Sequence, residues 1–409
     1  MRSPITAPCL AAALLLATLA GGAPRPKLER TADAWTLGGL GGIRGITVGP
    51  IENARHPGVG YGTLPGWRAL YTAQQLGATW VSLTPFGRVW DLHGSGVDPC
   101  FEAPLEQNRR AVLDAMAQAH DLGLRVLLVP HLWVESGEWR ALMDPGDDEG
   151  WARWAASYGR FLLRWAEVAE QGKVEMLSVG VELRSWLTTR HAPLFVELLH
   201  AVRQRYSGLL TYSGNWDDIA DTVVLGELDV IGVNAFYPLA TEPGASFEQL
   251  SFGGQQVAAE LGELAERWNK PVLLTEMGYT TRRDPAVKPW EWPDGMHDVV
   301  VDEQAQALAY RALLAPLLGE RWFAGFFVWR IYADPDDVSQ EAEWGFSPLG
   351  KLSELEVRDA FAATWAADEA DPSRHWLGAQ RARTPGLYAW EPSPEPRWLR
   401  PRPSPTGEY

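Results

Sequence analysis

Residues 105–133, LEQNRRAVLDAMAQAHDLGLRVLLVPHLW, carry one structural unit together with its punctuation. Val112, Leu113, Met116 and Ala119 recur at three- and four-residue spacing, so Leu105–Leu122 predicts an amphipathic helix. Gly123 stops it. Leu124–Trp133 then follows as an apolar run of the kind found in strands buried on both faces. The alternation continues in both directions. Strand-like runs occupy Gly42–Gly49, Ala78–Phe86, Leu124–Trp133, Glu175–Leu183, Leu209–Trp216, Leu228–Phe236, Pro271–Tyr279 and Trp322–Arg330. Helical patterns lie at Trp151–Val168, Pro193–Tyr206, Gln255–Trp268 and Glu303–Leu318, and Glu354–Trp365 closes the series. Strand–helix alternation repeated eight times predicts an α/β chain folded as one (β/α)8 TIM barrel, over 31–366. A doubly wound open sheet competes. It needs a glycine-rich phosphate loop after the first strand, and Ile46–Ile51 (ITVGPI) contains none.

Composition narrows the function. The 409 residues carry 52 acidic against 36 basic side chains, a net charge of −16. Phosphate binding needs concentrated Lys and Arg, so nucleic acid is excluded as a partner. An anionic membrane surface is disfavoured on the same ground. Cys9 and Cys100 are the only cysteines, too few for a disulfide scaffold or a thiolate zinc site. Tryptophan is abundant at 21 residues, and that much aromatic surface calls for a use.

The ends differ from the middle. Arg2 followed by the apolar run Cys9–Ala20 and the small residues Ala20–Ala23 marks 1–22 as a signal peptide. The run is short for a membrane anchor, which takes about 20 apolar residues. The mature chain is therefore expected to be secreted or periplasmic, with Cys100 as its free cysteine. Asp371–Tyr409 holds eight prolines and six arginines without apolar periodicity. Residues 367–409 are thus expected to form an extended tail. A carbohydrate-binding or wall-attachment segment is the functional alternative.

In such barrels the reactive groups sit where strands end. The fourth strand closes with Ser178–Val179–Gly180–Val181–Glu182–Leu183, and the seventh with Leu274–Thr275–Glu276–Met277–Gly278–Tyr279. Strict alternation sends Ser178, Gly180 and Glu182 inward and Leu177, Val179 and Val181 outward. Two glutamates across a barrel mouth can approach the roughly 5 Å separation that retaining glycoside hydrolysis uses. One must stay ionised and attack the anomeric carbon. The other must hold a proton, which the neighbouring charge helps it keep.

The segments PVLLTEMGY (271–279), SVGVEL (178–183), GVNAFYPL (232–239) and GFSPLGK (345–351) resemble those of the clan A glycoside hydrolases, and within the clan family 113, characterised as β-1,4-mannanases. The resemblance runs over about Gly42–Ala366. It implies Glu182 as general acid/base and Glu276 as nucleophile. It further implies that Tyr237 hydrogen-bonds the nucleophile, that Trp329 forms a floor under the sugar, and that Arg88 pairs with Glu276. One departure is Val181, where most of the clan has an asparagine that contacts the sugar 2-hydroxyl.

Pyranose faces stack on flat aromatic rings. Trp90, Trp133, Trp186, Trp216, Trp290, Trp292, Trp329 and Trp344 all fall in or just after strand ends, a row suited to an extended polysaccharide. His131 and Asn215 are candidate hydroxyl partners, and Trp133 a candidate platform. The loop Thr281–Val299 is expected to cover one end of the cleft. The eight histidines lack the His-x-His pairing of a metal-dependent hydrolase, so no metal or organic cofactor is expected. The resulting expectation is a monomeric retaining hydrolase of β-linked polysaccharide or oligosaccharide, with mannan favoured by resemblance alone. A β-glucanase, a transglycosylase and a non-catalytic carbohydrate-binding protein remain alternatives.

Overall fold

A computed structural model describes residues 42–49, 58–101, 103–292, 296–334, 343–363 and 365. The expected signal peptide and tail lie outside the described residues. The strands are β1 (Ile43–Gly49), β2 (Trp80–Leu83), β3 (Phe86–Val89), β4 (Arg125–Leu128), β5 (His131–Val134), β6 (Met176–Val181), β7 (Leu209–Asn215), β8 (Ile231–Asn234), β9 (Val272–Met277) and β10 (Phe323–Tyr332). The helices are α1 (Leu64–Gln75), α2 (Leu105–Asp121), α3 (Asp148–Gln171), α4 (Arg184–Leu187), α5 (Ala192–Arg203), α6 (Phe247–Trp268), α7 (Glu303–Leu317) and α8 (Leu352–Ala362). Eight parallel strands close into a barrel in the order β1-β10-β9-β8-β7-β6-β4-β2, as the alternation predicts.

Two of the apolar runs do not stay in the barrel. Each is interrupted by a proline, Pro85 in the second and Pro130 in the third. Proline offers no amide hydrogen to a ladder, so the strand ends there. The chain resumes as β3 and β5, which pair with each other as a separate two-stranded sheet. Phe86 lies opposite His131, and Arg88 opposite Trp133. This small sheet fixes what stands on that side of the barrel mouth.

The helix caps follow local chemistry. Ser246 and Gln249 form a reciprocal capping box that starts α6 at Phe247 rather than at Gln255. Thr63 caps α1, with Pro65 in its first turn, a helix the apolar pattern alone does not reveal. After β7 two short 3-10 turns, Ile219–Asp221 and Val223–Glu227, stand in place of a helix.

The core has two layers. Leu177, Val179, Leu210, Val233 and Leu274 pack outward against the helices. Ile43, Trp80, Leu127, Met176, Val181, Leu273 and Phe327 fill the barrel. Val181 belongs to the interior, contrary to strict alternation. The ladder between β6 and β7 shifts register between Ser178 and Val181, and such an irregularity reverses which face the following side chains take. Gly180 consequently faces the helix side, where a Cβ would lie 2.8 Å from Leu183, 3.1 Å from Tyr158 and 3.4 Å from Tyr212.

Helix α6 packs on α7 at glycine. A Cβ on Gly254 would lie 2.0 Å from the Ala312 carbonyl oxygen, whereas one on Gly262 of the same helix would meet only the Trp322 ring at 3.4 Å or more. Gly254→Ala should therefore destabilise the barrel by about 1–3 kcal/mol through overpacking. Gly262→Ala should be neutral or stabilise it by up to about 1 kcal/mol through helix propensity. Urea denaturation midpoints of the two variants test this, and equal effects would contradict it.

Candidate active site

Strands β6, β8 and β9 deliver three polar side chains to one point. Glu182 follows β6 directly and has a left-handed backbone, φ 50°. Its Oε1 accepts a hydrogen bond from Asn234 Nδ2 at 3.0 Å. Asn234 Oδ1 in turn accepts one from the Thr275 hydroxyl at 3.0 Å, which turns the amide nitrogen toward Glu182. On the other oxygen, Oε2, Trp139 Nε1 donates at 2.7 Å and Arg140 Nη1 at 2.6 Å. Trp139 and Arg140 belong to the loop that leaves β5. That loop is anchored by Arg140 Nε on the Leu132 carbonyl, 3.1 Å away.

Glu276 sits on β9 in register with Asn234, and its Oε1 lies 3.9 Å from His131 Nε2. Both side chains are buried. Burial first, and the charge of Glu182 second, push the Glu276 carboxyl up to about 8, against the opposing pull of Arg140, Arg330 and Asn234. Burial, reinforced by the Arg140 cation, holds His131 well below the usual histidine range, so its ring is neutral. The ring's Nδ1 faces the Leu132 carbonyl at 3.2 Å and must donate there, which leaves Nε2 as an acceptor facing Glu276. A proton on Glu276 suits that neighbour.

The arrangement therefore gathers a cation and two N–H donors at Glu182 and favours a proton on Glu276. The resemblance implies the opposite distribution at the moment of bond cleavage. Donors are concentrated at Glu182, and Glu276 has few to stabilise its ionised form.

His131 stands beside Glu276 at the site. Trp329, on β10 beside β9, packs with Phe236, Phe346 and Trp216 at the mouth and carries the Arg330 guanidinium 4.8 Å from its ring centre. Asn215 ends β7 next to Asn234, with its amide donating to Asp217 at 2.5 Å. Trp133 is exposed on the small β3–β5 sheet, on the same face of its strand as His131. Its ring lies 5.8 Å from Phe101, which in turn lies 5.6 Å from Phe86.

Three expectations are corrected. Arg88 does not reach Glu276. The break at Pro85 carries it onto β3, where it pairs with Glu135 at 2.5 Å and lies 5.2 Å from the rings of Trp90 and Phe101. Tyr237 does not hydrogen-bond Glu276 either. Its hydroxyl donates to Glu260 on α6 at 3.4 Å, while its ring packs on Trp216. Trp186 is no cleft residue but a core one, buried against Trp154, Tyr158 and Phe195.

The cations near Glu276 are instead Arg140 and Arg330. Sequence reasoning missed Arg140, Trp139, Asn234 and Arg330. Asn234 ends β8 and Arg330 closes the eighth apolar run of the sequence, so the strand-end rule reaches them. Trp139 and Arg140 open a single 3-10 turn, Arg140–Leu142, in the loop after β5, too short to give a periodic signal. Along the loop after β9, Trp292 lies against Phe346 and Arg330, and with Arg282, Glu291 and Val300 it walls a cavity of about 610 Å³. Trp290 stacks on Trp216 nearby. Among the described residues no cluster of three or more His, Cys, Asp or Glu side chains is arranged to hold a metal ion.

The profile of Glycoside Hydrolase Family 113 matches residues 65–351, a span that contains every site residue described above. No curated protein matches the chain. Among solved structures, a family 113 β-mannanase from Alicyclobacillus acidocaldarius in complex with ManMIm is 26% identical, with a TM-score of 0.67 over 79% of this chain and 98% of that one. Another family 113 β-1,4-mannanase is 22% identical with the same TM-score, over 79% of this chain and all of the other. An endo-1,4-β-D-mannanase from Thermotoga petrophila shares the fold at 14% identity and a TM-score of 0.51, over 78% of this chain and 99% of that one.

The raised Glu276 links stability to pH. Its folded value, about 8, exceeds its ordinary 4.5, so the stability it contributes as a neutral group is complete below about pH 4.5 and is lost as pH rises through about 8. Glu276→Gln stays neutral throughout. It should melt with wild type near pH 4 and at least about 2 °C above it at pH 9. Thermal unfolding followed by circular dichroism checks this, and equal melting at both pH values would contradict it.

Proposed function

This chain belongs to glycoside hydrolase family 113 and is an O-glycoside hydrolase acting on β-glycosidic bonds, and from that premise we propose that it cleaves β-1,4-mannan with retention of configuration. The observation that carries the reading is the meeting of Glu182 and Glu276 around Asn234, which hydrogen-bonds the first and lies in register with the second. Two carboxylates of unlike charge state at one point are what double displacement requires.

Glu276, ionised, attacks the anomeric carbon while Glu182 gives its proton to the departing oxygen. A glycosyl ester on Glu276 results. Glu182, now a carboxylate, takes a proton from water as that water attacks the same carbon, and Glu276 leaves. Both carboxyl groups return to their starting states. Trp329 lies under the sugar, neutral His131 beside the nucleophile can bond a hydroxyl, and Trp133 offers an outlying platform. The mannan assignment is supported by the family 113 structural relatives, which are β-mannanases, and of these the 26% identical one weighs most.

The enzyme works outside the cytoplasm, after removal of residues 1–22, as a monomer with one catalytic barrel over 31–366. That reading is supported by the apolar run Cys9–Ala20 and by the polymeric nature of the substrate.

Reducing-sugar release from β-1,4-mannan, glucomannan and mixed-linkage β-glucan tests the reading. Wild type should prefer mannan, and Glu276→Gln should lose about a thousandfold or more. Glu182→Ala should fail on polymer yet recover on an activated aryl glycoside when azide is supplied, giving the β-glycosyl azide. A preference for glucan would overturn the substrate, and an active Glu276→Gln would overturn the mechanism.

A further inference from the structure

Glu182 is held by more donors than a proton-delivering carboxyl group can face. Two N–H groups point at Oε2 and one at Oε1, and the Thr275 bond keeps the Asn234 amide from offering an acceptor instead. A carboxyl group that carries a proton needs an acceptor opposite one of its oxygens. None of these three partners is one.

We propose that Arg140, with Trp139, is a positioning residue for the general acid: it holds Glu182 as an ionised carboxylate turned toward the loop after β5, and its contact with Oε2 must give way to the leaving-group oxygen before Glu182 can deliver a proton. The inference rests on the roles given to the two glutamates above. While Arg140 sits on Oε2, the pair's proton belongs to Glu276, the wrong carboxyl group for reaction. When the glycosidic oxygen takes Arg140's place, the proton leaves Glu276 and ends on Glu182, with the charge of the pair unchanged. Acid strength at Glu182 is thereby tied to substrate arrival.

The surroundings suit this device. Arg140 is braced at Nε by the Leu132 carbonyl, so one cation spans from β5 beside Glu276 to Glu182. Trp139 carries the Arg184 guanidinium 4.7 Å from its ring centre, and Arg184 is itself paired with Asp217 and Asp218. The remaining titratable groups that bear on Glu182 are Glu276 on β9, Tyr212 on β7 and Asp218 after β7. Arg330 on β10 acts on Glu276.

The test is the pH profile of kcat/KM on the preferred β-linked oligosaccharide for wild type, Arg140→Gln and Arg140→Lys. Glutamine keeps an N–H for Oε2 and removes the charge. A nearby cation favours ionised carboxylates, so its loss lets both glutamates keep protons to higher pH. Both limbs should then move upward by about one pH unit, and lysine should restore most of the wild-type profile. A glutamine profile superimposed on wild type, at whatever rate, overturns the proposal. A structural role alone would lower the rate or the melting temperature without moving the limbs.

A second readout needs neither substrate nor a fully active variant. The Trp139 indole N–H, assigned by its loss in Trp139→Phe, reports on Oε2 by NMR. Its titration midpoint should rise when the Arg140 charge is removed, and an unchanged midpoint overturns the proposal. Wild-type inactivity on every β-linked oligosaccharide, or retained activity in Glu276→Gln, would instead overturn the proposed function.

Discussion

Two carboxylates buried in one barrel mouth cannot both be charged at modest cost, and the site is organised around that constraint. Burial and mutual repulsion make the pair keep one proton. Which glutamate holds it depends on the placement of donors. Asn234, Trp139 and Arg140 all converge on Glu182, while Glu276 has a neutral His131 beside it and the charges of Arg140 and Arg330 acting on it. The chemistry asks for the reverse distribution at the moment of bond cleavage. In the proposed reaction the arrangement is one proton transfer away from bond cleavage, and the loop after β5 carries two of the groups that hold Glu182.

The barrel supplies rigidity to this balance. Asn234 is aligned by its own strand, by Thr275 on β9 and by its register with Glu276, so the spacing of the pair is set by strand ladders rather than by loops. The register shift in β6 has the same consequence on the other side. It turns Val181 into the barrel and presents Glu182, with its left-handed backbone, at the rim. Val181 cannot supply the amide found there in most of the clan. The amide that Glu182 receives comes from Asn234, one barrel strand beyond β7.

Much of this is legible in the sequence because it depends on period and position. The eight apolar runs and the helical patterns between them report burial directly, and Glu182 and Glu276 declare themselves as charges closing apolar strands. His131 belongs to the third apolar run in sequence but opens β5, beyond the break at Pro130. What escapes is set by single-residue events that periodicity averages away. Pro85 and Pro130 split two runs and move Arg88 away from Glu276. The chain after β8 turns Tyr237 toward Glu260 on α6. Trp186, next to strand end and loop in sequence, is swallowed by the packing of α3 and α5. Trp139 and Arg140 come from a single short 3-10 turn between β5 and α3, where only three-dimensional proximity reveals a role.

The proposed reaction makes Glu276 the attacking group, although burial and the charge of Glu182 push its carboxyl up to about 8. Incubation with a 2-deoxy-2-fluoro β-1,4-mannooligosyl fluoride, in which the fluorine slows breakdown of the glycosyl-enzyme, followed by mass spectrometry of the intact protein and its peptides, tests this most directly. One fluorinated glycosyl group per chain, mapped to Glu276 and absent from Glu276→Gln, is the predicted result. Labelling of Glu182 in its place would contradict the account.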